Sequence, residues 1–122
     1  MKRFFWVLVL VVLPVTALQA MTVAVFLEKA DSLERRGMMA MFSSDARLLK
    51  AEMKGAGDAL RAERLRARAS GQRPAYCPPE RIPVKSSDLL AHLRAIPPAQ
   101  RQRMEFRDAL RLMLVRRYPC PA

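Results

Sequence analysis

Two cysteines, a lone histidine and a short methionine cluster are the residues of this chain whose types could do chemistry. Cys77 and Cys120 stand in near-matching frames, Tyr76-Cys77-Pro78-Pro79 and Tyr118-Pro119-Cys120-Pro121. In an exported chain each thiol meets an oxidising compartment and has only the other as an intramolecular partner, so a structural disulfide is expected. The alternatives are a redox pair and a metal site. A redox pair normally stands as C-x-x-C, whereas these two lie 43 positions apart. Zinc takes four ligands, and His92 is the only histidine. No metal ligand is assigned.

His92 follows Leu89 and Leu90 and precedes Leu93, within a helical pattern, with Asp88 four positions earlier at ordinary helical reach. A single histidine so placed is expected to be exposed or bonded to a neighbour, not catalytic. Met38, Met39 and Met41 could offer thioethers to a soft metal, but such sites want more thioethers or an adjacent histidine. Core packing is the expectation for them. The carboxylates are scattered and mostly lie next to arginines, which keeps them ionised and unsuited to general-acid work. No Gly-rich phosphate loop occurs. No catalytic, cofactor-binding or metal residue is therefore assigned, no cofactor is expected, and the chain reads as a non-enzyme.

The elements that must position these residues begin with an export signal. Lys2 and Arg3 precede an unbroken apolar run from Phe4 to Leu13, which Pro14 ends. That run has signal-peptide length. Cleavage is expected after Ala17 or after Ala20, which assigns residues 1–20 to the signal and residues 21–122 to a single helical domain. The competing reading is a retained anchor, since Phe4 to Leu27 carries no charge and has about the 20 residues that a membrane span needs. The expected location is the periplasm.

The formal charge is +11, and removal of Lys2 and Arg3 leaves 11 − 2 = +9 on the mature chain. A basic chain of this size would ordinarily point to nucleic acid. Export excludes that partner and leaves anionic lipid headgroups, anionic cell-wall polymer and acidic proteins. Membrane contact is expected only through the signal segment or weak electrostatics. The basic residues are spread along the chain, and many are expected to pair along helices, with Glu63, Glu105 and Asp108 among arginine neighbours.

Hydrophobic spacing predicts an all-α fold, a small bundle of about four helices closed by one disulfide. Val23, Phe26, Leu27, Ala30 and Leu33 mark a first helix from Thr22 to Arg36 that stops at Gly37. Met38 to Phe42 reads as an apolar connector packed on the core. Ser43 or Ser44 caps a long second helix, Asp45 to Ala69. Its stripe of small residues, Gly55, Ala56, Ala59, Ala62 and Ala69, predicts an interhelical contact, with Gly55 and Gly57 as a kink or a point of close approach. Prolines keep the connector from Arg73 to Lys85 out of helix. Ser86-Ser87-Asp88 is expected to cap a third helix, and a fourth runs from about Pro98 to Tyr118 with Arg103, Arg107 and Arg111 on one face.

The span Tyr76-Cys77-Pro78-Pro79, then Leu89-Leu90-Ala91-His92-Leu93-Arg94-Ala95-Ile96-Pro97, then Ala109-Leu110 and Tyr118-Pro119-Cys120-Pro121, resembles the C-terminal half of the Rap/Tai family. Those are small periplasmic immunity proteins of type VI secretion, exported, mostly helical and disulfide-bonded. The resemblance implies a protein that binds and occludes a secreted cell-wall amidase effector, with a homodimer left open. It implies only a structural role for Cys77 and Cys120. The first half departs from the family: a second cysteine pair and a Cys-x-Gly-Tyr-like helix are missing, and Lys54-Gly55-Ala56-Gly57-Asp58-Ala59 stands in the corresponding place. An inhibitor needs shape and no reacting groups, and the expected contact surfaces are the Arg73–Lys85 connector and the arginine face of the last helix. The alternative function is a structural or accessory envelope protein held at an anionic membrane or cell-wall surface.

Overall fold

The computed structural model describes residues 20–122; all of the expected export signal but Ala20 lies outside the described residues. The elements in chain order are α1 (Val23–Arg36), a 3-10 helix (Gly37–Phe42), α2 (Ser44–Ala69), α3 (Ser86–Arg94), α4 (Pro98–Arg101) and α5 (Phe106–Arg117). The fold is all-α, a helical bundle with a Cys77–Cys120 disulfide. Among the described residues no strand forms, and no helix is long and apolar enough to cross a membrane.

Helix α1 forms because Thr22, in extended geometry, accepts the amide of Val25 on its hydroxyl at 3.3 Å. Its apolar stripe then buries Val23, Phe26, Leu27 and Ala30. Gly37 ends it at φ 71, a left-handed angle that suits glycine. Helix α2 starts on Ser43, whose Oγ accepts from the Ala46 amide at 3.2 Å. It closes in a Schellman arrangement: Gln72 N donates to Ala67 O at 2.8 Å and Gly71 N to Arg68 O at 3.1 Å, with Gly71 at φ 73.

Helix α1 touches α2, α3, α4 and α5, and α5 closes the bundle against α2 and α3. The core runs from Val23 to Leu114 and centres on Phe106, Leu60, Leu89, Leu93 and Val23. Phe26 of α1 and Phe106 of α5 stack at 4.2 Å between centroids, with the rings 2° from parallel.

Several expectations need correction. The fourth helix is interrupted. Glu105 adopts extended geometry (ψ 145) and bridges to Thr22. Val23 N donates to Met104 O at 2.9 Å, and Phe106 N donates to Met21 O at 2.8 Å. Those two bonds clamp the start of α1: they satisfy the Phe106 amide and the Met104 carbonyl, which a continuous fourth helix would have used internally, and the Val23 amide, which has no acceptor within α1.

The cap of α3 is Lys85, not the Ser86-Ser87-Asp88 group; Asp88 instead meets Arg117 of α5 at 3.2 Å. The small-residue stripe packs only through Ala56 and, partly, Ala59. Gly55 and Gly57 are exposed, an added Cβ at either would meet nothing within 4 Å, and α2 runs through both without a break. The Met38–Phe42 connector does not pack on the core. Only Ala40 is buried, while Met38, Met39, Met41 and Phe42 are 83, 85, 60 and 86% exposed. A 3-10 turn at the apex of the α1–α2 hairpin has three residues per turn, so one small side chain faces inward and its larger neighbours face out.

Candidate functional site

The disulfide organises the surface as well as the core. Cys77 and Cys120 bring their Cα atoms to 4.8 Å, and the Cys77 amide donates to Tyr118 O at 2.8 Å. Arg73 reaches the Pro121 carbonyl. The beginning of the Arg73–Lys85 connector is thereby fastened to the end of α5. It turns Tyr76 inward, where the ring is buried, and lays Pro78 to Ile82 alongside the second half of α2.

The result is a groove of about 720 Å³ between α2 and the connector, lined by Gly57, Arg61, Arg64, Leu65 and Arg68 on one wall and Pro78 to Ile82 on the other. Arg61, Arg64 and Arg68 stand three and four positions apart and so share a helix face. With Arg81 they give four guanidinium groups against one carboxylate, Glu80. Among the described residues none of the four forms an ion pair.

Arg64 lies at the base of the groove. Its guanidinium carbon sits 5.3 Å from the centroid of Tyr76, a cation–π distance, and its buried Nε has no hydrogen-bond partner among the described residues. Below it, Gly57, Arg64 and Ile82 are shared with an apolar cavity of about 210 Å³ that reaches Tyr76, Leu89, Phe106 and Leu110. Cationic rim and apolar floor therefore meet at Arg64. Such a site favours a carboxylate beside an apolar anchor.

Several of the other arginines have structural work. Arg111, expected on a contact face, forks onto Glu63 of α2 at 2.6 and 3.1 Å and onto Asp108 at 2.6 Å. The Glu63 hydrogen bond holds its guanidinium above the ordinary arginine range against the opposing effect of burial. Arg107 meets Glu105 at 3.6 Å. Arg94 ties α3 to Asp31 (2.9 Å) and Glu34 (3.2 Å) of α1, and those hydrogen bonds raise its pKa. Of the expected arginine face of the last helix, Arg111 is thus committed to the bundle, Arg107 has only the neighbouring Glu105, and Arg103 forms no ion pair among the described residues, whereas the connector borders a groove.

His92 donates from Nε2 to Ala109 O of α5 at 2.9 Å, since a carbonyl can only accept. Asp88, within helical reach of it, is taken by Arg117. Met38, Met41 and Met53 line a different, apolar groove of about 590 Å³ beside the 3-10 helix. No group of three or more His, Cys, Asp or Glu side chains suited to a metal ion occurs among the described residues.

The Arg61–Arg68 end of α2 reads from sequence alone as either a solvated helix face or an anionic contact, whereas the places of Tyr76, Gly57 and Ile82 beside it were not legible. The signal for Arg64 was present in the 61-64-68 spacing. Only the packed position of the connector shows that this face has an opposite wall. No family model, curated protein or solved structure matches the chain.

Proposed function

We propose that this chain is an exported, non-catalytic periplasmic binding protein that seats an acidic segment of a secreted protein in the α2–connector groove. Occlusion of that partner's active site is the mode of action, as for the immunity proteins that the Cys-Pro to Pro-Cys span resembles. The partner class is a cell-wall amidase effector. The observation that carries the reading is the set of four arginines without carboxylate partners above an apolar cavity. Arginine is enriched among residues that dominate protein interfaces. A carboxylate placed against Arg64 would satisfy its buried Nε and add charge-assisted bonds. An aliphatic side chain entering the cavity below would gain burial without new polar cost.

The test has two stages. Cells making a periplasmically directed amidase effector are grown with and without this chain, and survival is scored. The purified pair is then titrated with wild type and with Arg61→Glu/Arg68→Glu. Protection, together with at least about a hundredfold weaker binding by the charge reversal, is expected from two lost charge-assisted contacts. Failure to protect against every such effector removes the amidase reading. Protection that survives the charge reversal removes the groove.

A further inference from the structure

The 3-10 apex carries an independent feature. Met38, Met39, Met41 and Phe42 project from the tip of the α1–α2 hairpin with 83, 85, 60 and 86% of their surface exposed. Leu48 and Met53 extend the apolar surface along α2, and the adjoining groove of about 590 Å³ is lined mainly by Leu33, Met38, Met41, Leu49 and Met53. Large apolar side chains concentrated at one tip mark a contact site.

Charge decides what covers it. Arg35 and Arg36 end α1 on one side of the tip, and Arg47 and Lys50 follow it on the other. Of the acids at the tip, Asp45 is held by Lys29 at 3.2 Å and Arg36 at 3.1 Å, and Glu34, on the edge of the groove, is held by Arg94 at 3.2 Å. Arg35, Arg47 and Lys50 are exposed and form no ion pair among the described residues. A second copy would bring the same cations against these, on a chain that already carries +11. An anionic bilayer instead offers negative headgroups to the rim and hydrocarbon to the tip. The backbone is suited to that setting: the apex closes with Ser43 N donating to Ala40 O at 3.0 Å, and the Ser43 hydroxyl donates to the same carbonyl at 2.6 Å. Main-chain groups already satisfied internally lower the cost of leaving water for the upper acyl region.

We infer that the Met38–Phe42 apex is a wedge that inserts into the headgroup and upper acyl region of an anionic lipid bilayer, with Arg35, Arg47 and Lys50 on phosphates. The wedge and the arginine groove lie toward opposite ends of α2; Arg47 and Arg68 are separated by about 30 Å of helix. Docking of the tip therefore leaves the groove free, and the inference does not depend on what the groove binds.

The experiment uses residues 21–122, which lack the apolar run that would itself anchor the protein to vesicles and contain the whole helical bundle, carrying Phe42→Trp so that the only indole reports on the apex. Vesicles of phosphatidylcholine are compared with vesicles rich in phosphatidylglycerol, each with and without lipids brominated on the acyl chain. The indole is expected to shift to the blue and to be quenched by bromine on anionic vesicles, and not on neutral ones. Adding Arg47→Glu/Lys50→Glu, at two exposed positions, is expected to weaken that response roughly tenfold or more. An indole that stays unquenched on anionic vesicles overturns the inference. So does a blue shift that appears without lipid and grows with protein concentration, which would assign the patch to a second copy. Quenching that is indifferent to lipid charge or to the charge reversal overturns the part assigned to the rim.

Discussion

Replacing both Cys77 and Cys120 by Ala should lower stability by about 4 kcal/mol, the chain-entropy value for a closed loop of this size. The loop spans a sequence separation of 43 and encloses α3, α4 and α5, while α1 and α2 lie outside it. For a domain of about 100 residues that loss amounts to roughly 15–30 °C in Tm. It is also a large part of a total that is typically about 5–15 kcal/mol. Urea unfolding followed by far-UV circular dichroism measures the difference directly, with m unchanged or slightly larger as the unfolded chain expands. The effect should also have a location. The Cys77 amide bonds to Tyr118 O at 2.8 Å, between the two segments that the crosslink joins. Hydrogen exchange at position 77 should accelerate more than at amides within α1 and α2. A double variant whose midpoint corresponds to less than about 1 kcal/mol of lost stability would refute the loop-closure argument. Uniform acceleration of exchange through all helices would refute the localisation.

Phe106→Ala removes the ring that stacks on Phe26 at the fully buried centre of the core; a loss of about 3–5 kcal/mol is expected by chemical denaturation. Gly55→Ala should raise stability by about 0.5–1 kcal/mol, because the added methyl meets open space in an unbroken helix; a fall in Tm would restore a local need for glycine. Arg111→Met takes away the fork onto Glu63 and Asp108 and should cost on the order of 1 kcal/mol in thermal unfolding, with Arg111→Lys recovering only part of it. The Asp58 hydrogen bond holds the pKa of Lys54 above its ordinary 10.5. A raised folded-state pKa gives a contribution fully present below 10.5 and lost as pH rises through the higher folded value. The difference in Tm between wild type and Lys54→Met should therefore be constant across neutral pH and shrink only in strong alkali.

Much of the fold was legible because it rests on local rules. Ser43 as a cap, Gly37 as a stop and the prolines of the connector each act through their own backbone geometry. The disulfide was legible by elimination, with two thiols and one pairing. What could not be read depended on contacts between distant segments. The break before Phe106 arises because residues 104–106 exchange main-chain bonds with residues 21–23, more than 80 positions away, and nothing in the local pattern of Met104 and Glu105 forbids a helix. The exposed Met38–Phe42 apex defeated composition in the same way: an apolar run reads as core until its place at the tip of a hairpin is known. For the arginines, sequence gave the shared face but not which would be spent. Arg111 is paired with Glu63 because α5 lies against α2, and Arg61 and Arg68 form no ion pair among the described residues because the segment opposite them is proline-rich and carries only Glu80.

That division of labour follows from where the crosslink sits. A wall made of residues 77–83 has no helix or sheet ladder to hold it, and by itself it would sample many positions relative to α2. The prolines narrow its unfolded choices. Cys120 and the Tyr118 carbonyl fix its beginning, and Ile82 and Val84, packed on the core, fix its end. The groove is therefore in place before any ligand arrives, which reduces the ordering cost of binding. The 3-10 apex has no crosslink: Ala40, the Ser43 bonds and the pairs of Asp45 with Lys29 and Arg36 at its base are its anchors among the described residues, and its methionines keep three rotatable bonds each in solvent. A rigid slot suits a partner with one shape, and an adaptable apolar tip suits a fluid surface. On the two proposals above, the ends of α2 meet different kinds of target, and the staple lies at the end where a shape would have to be kept.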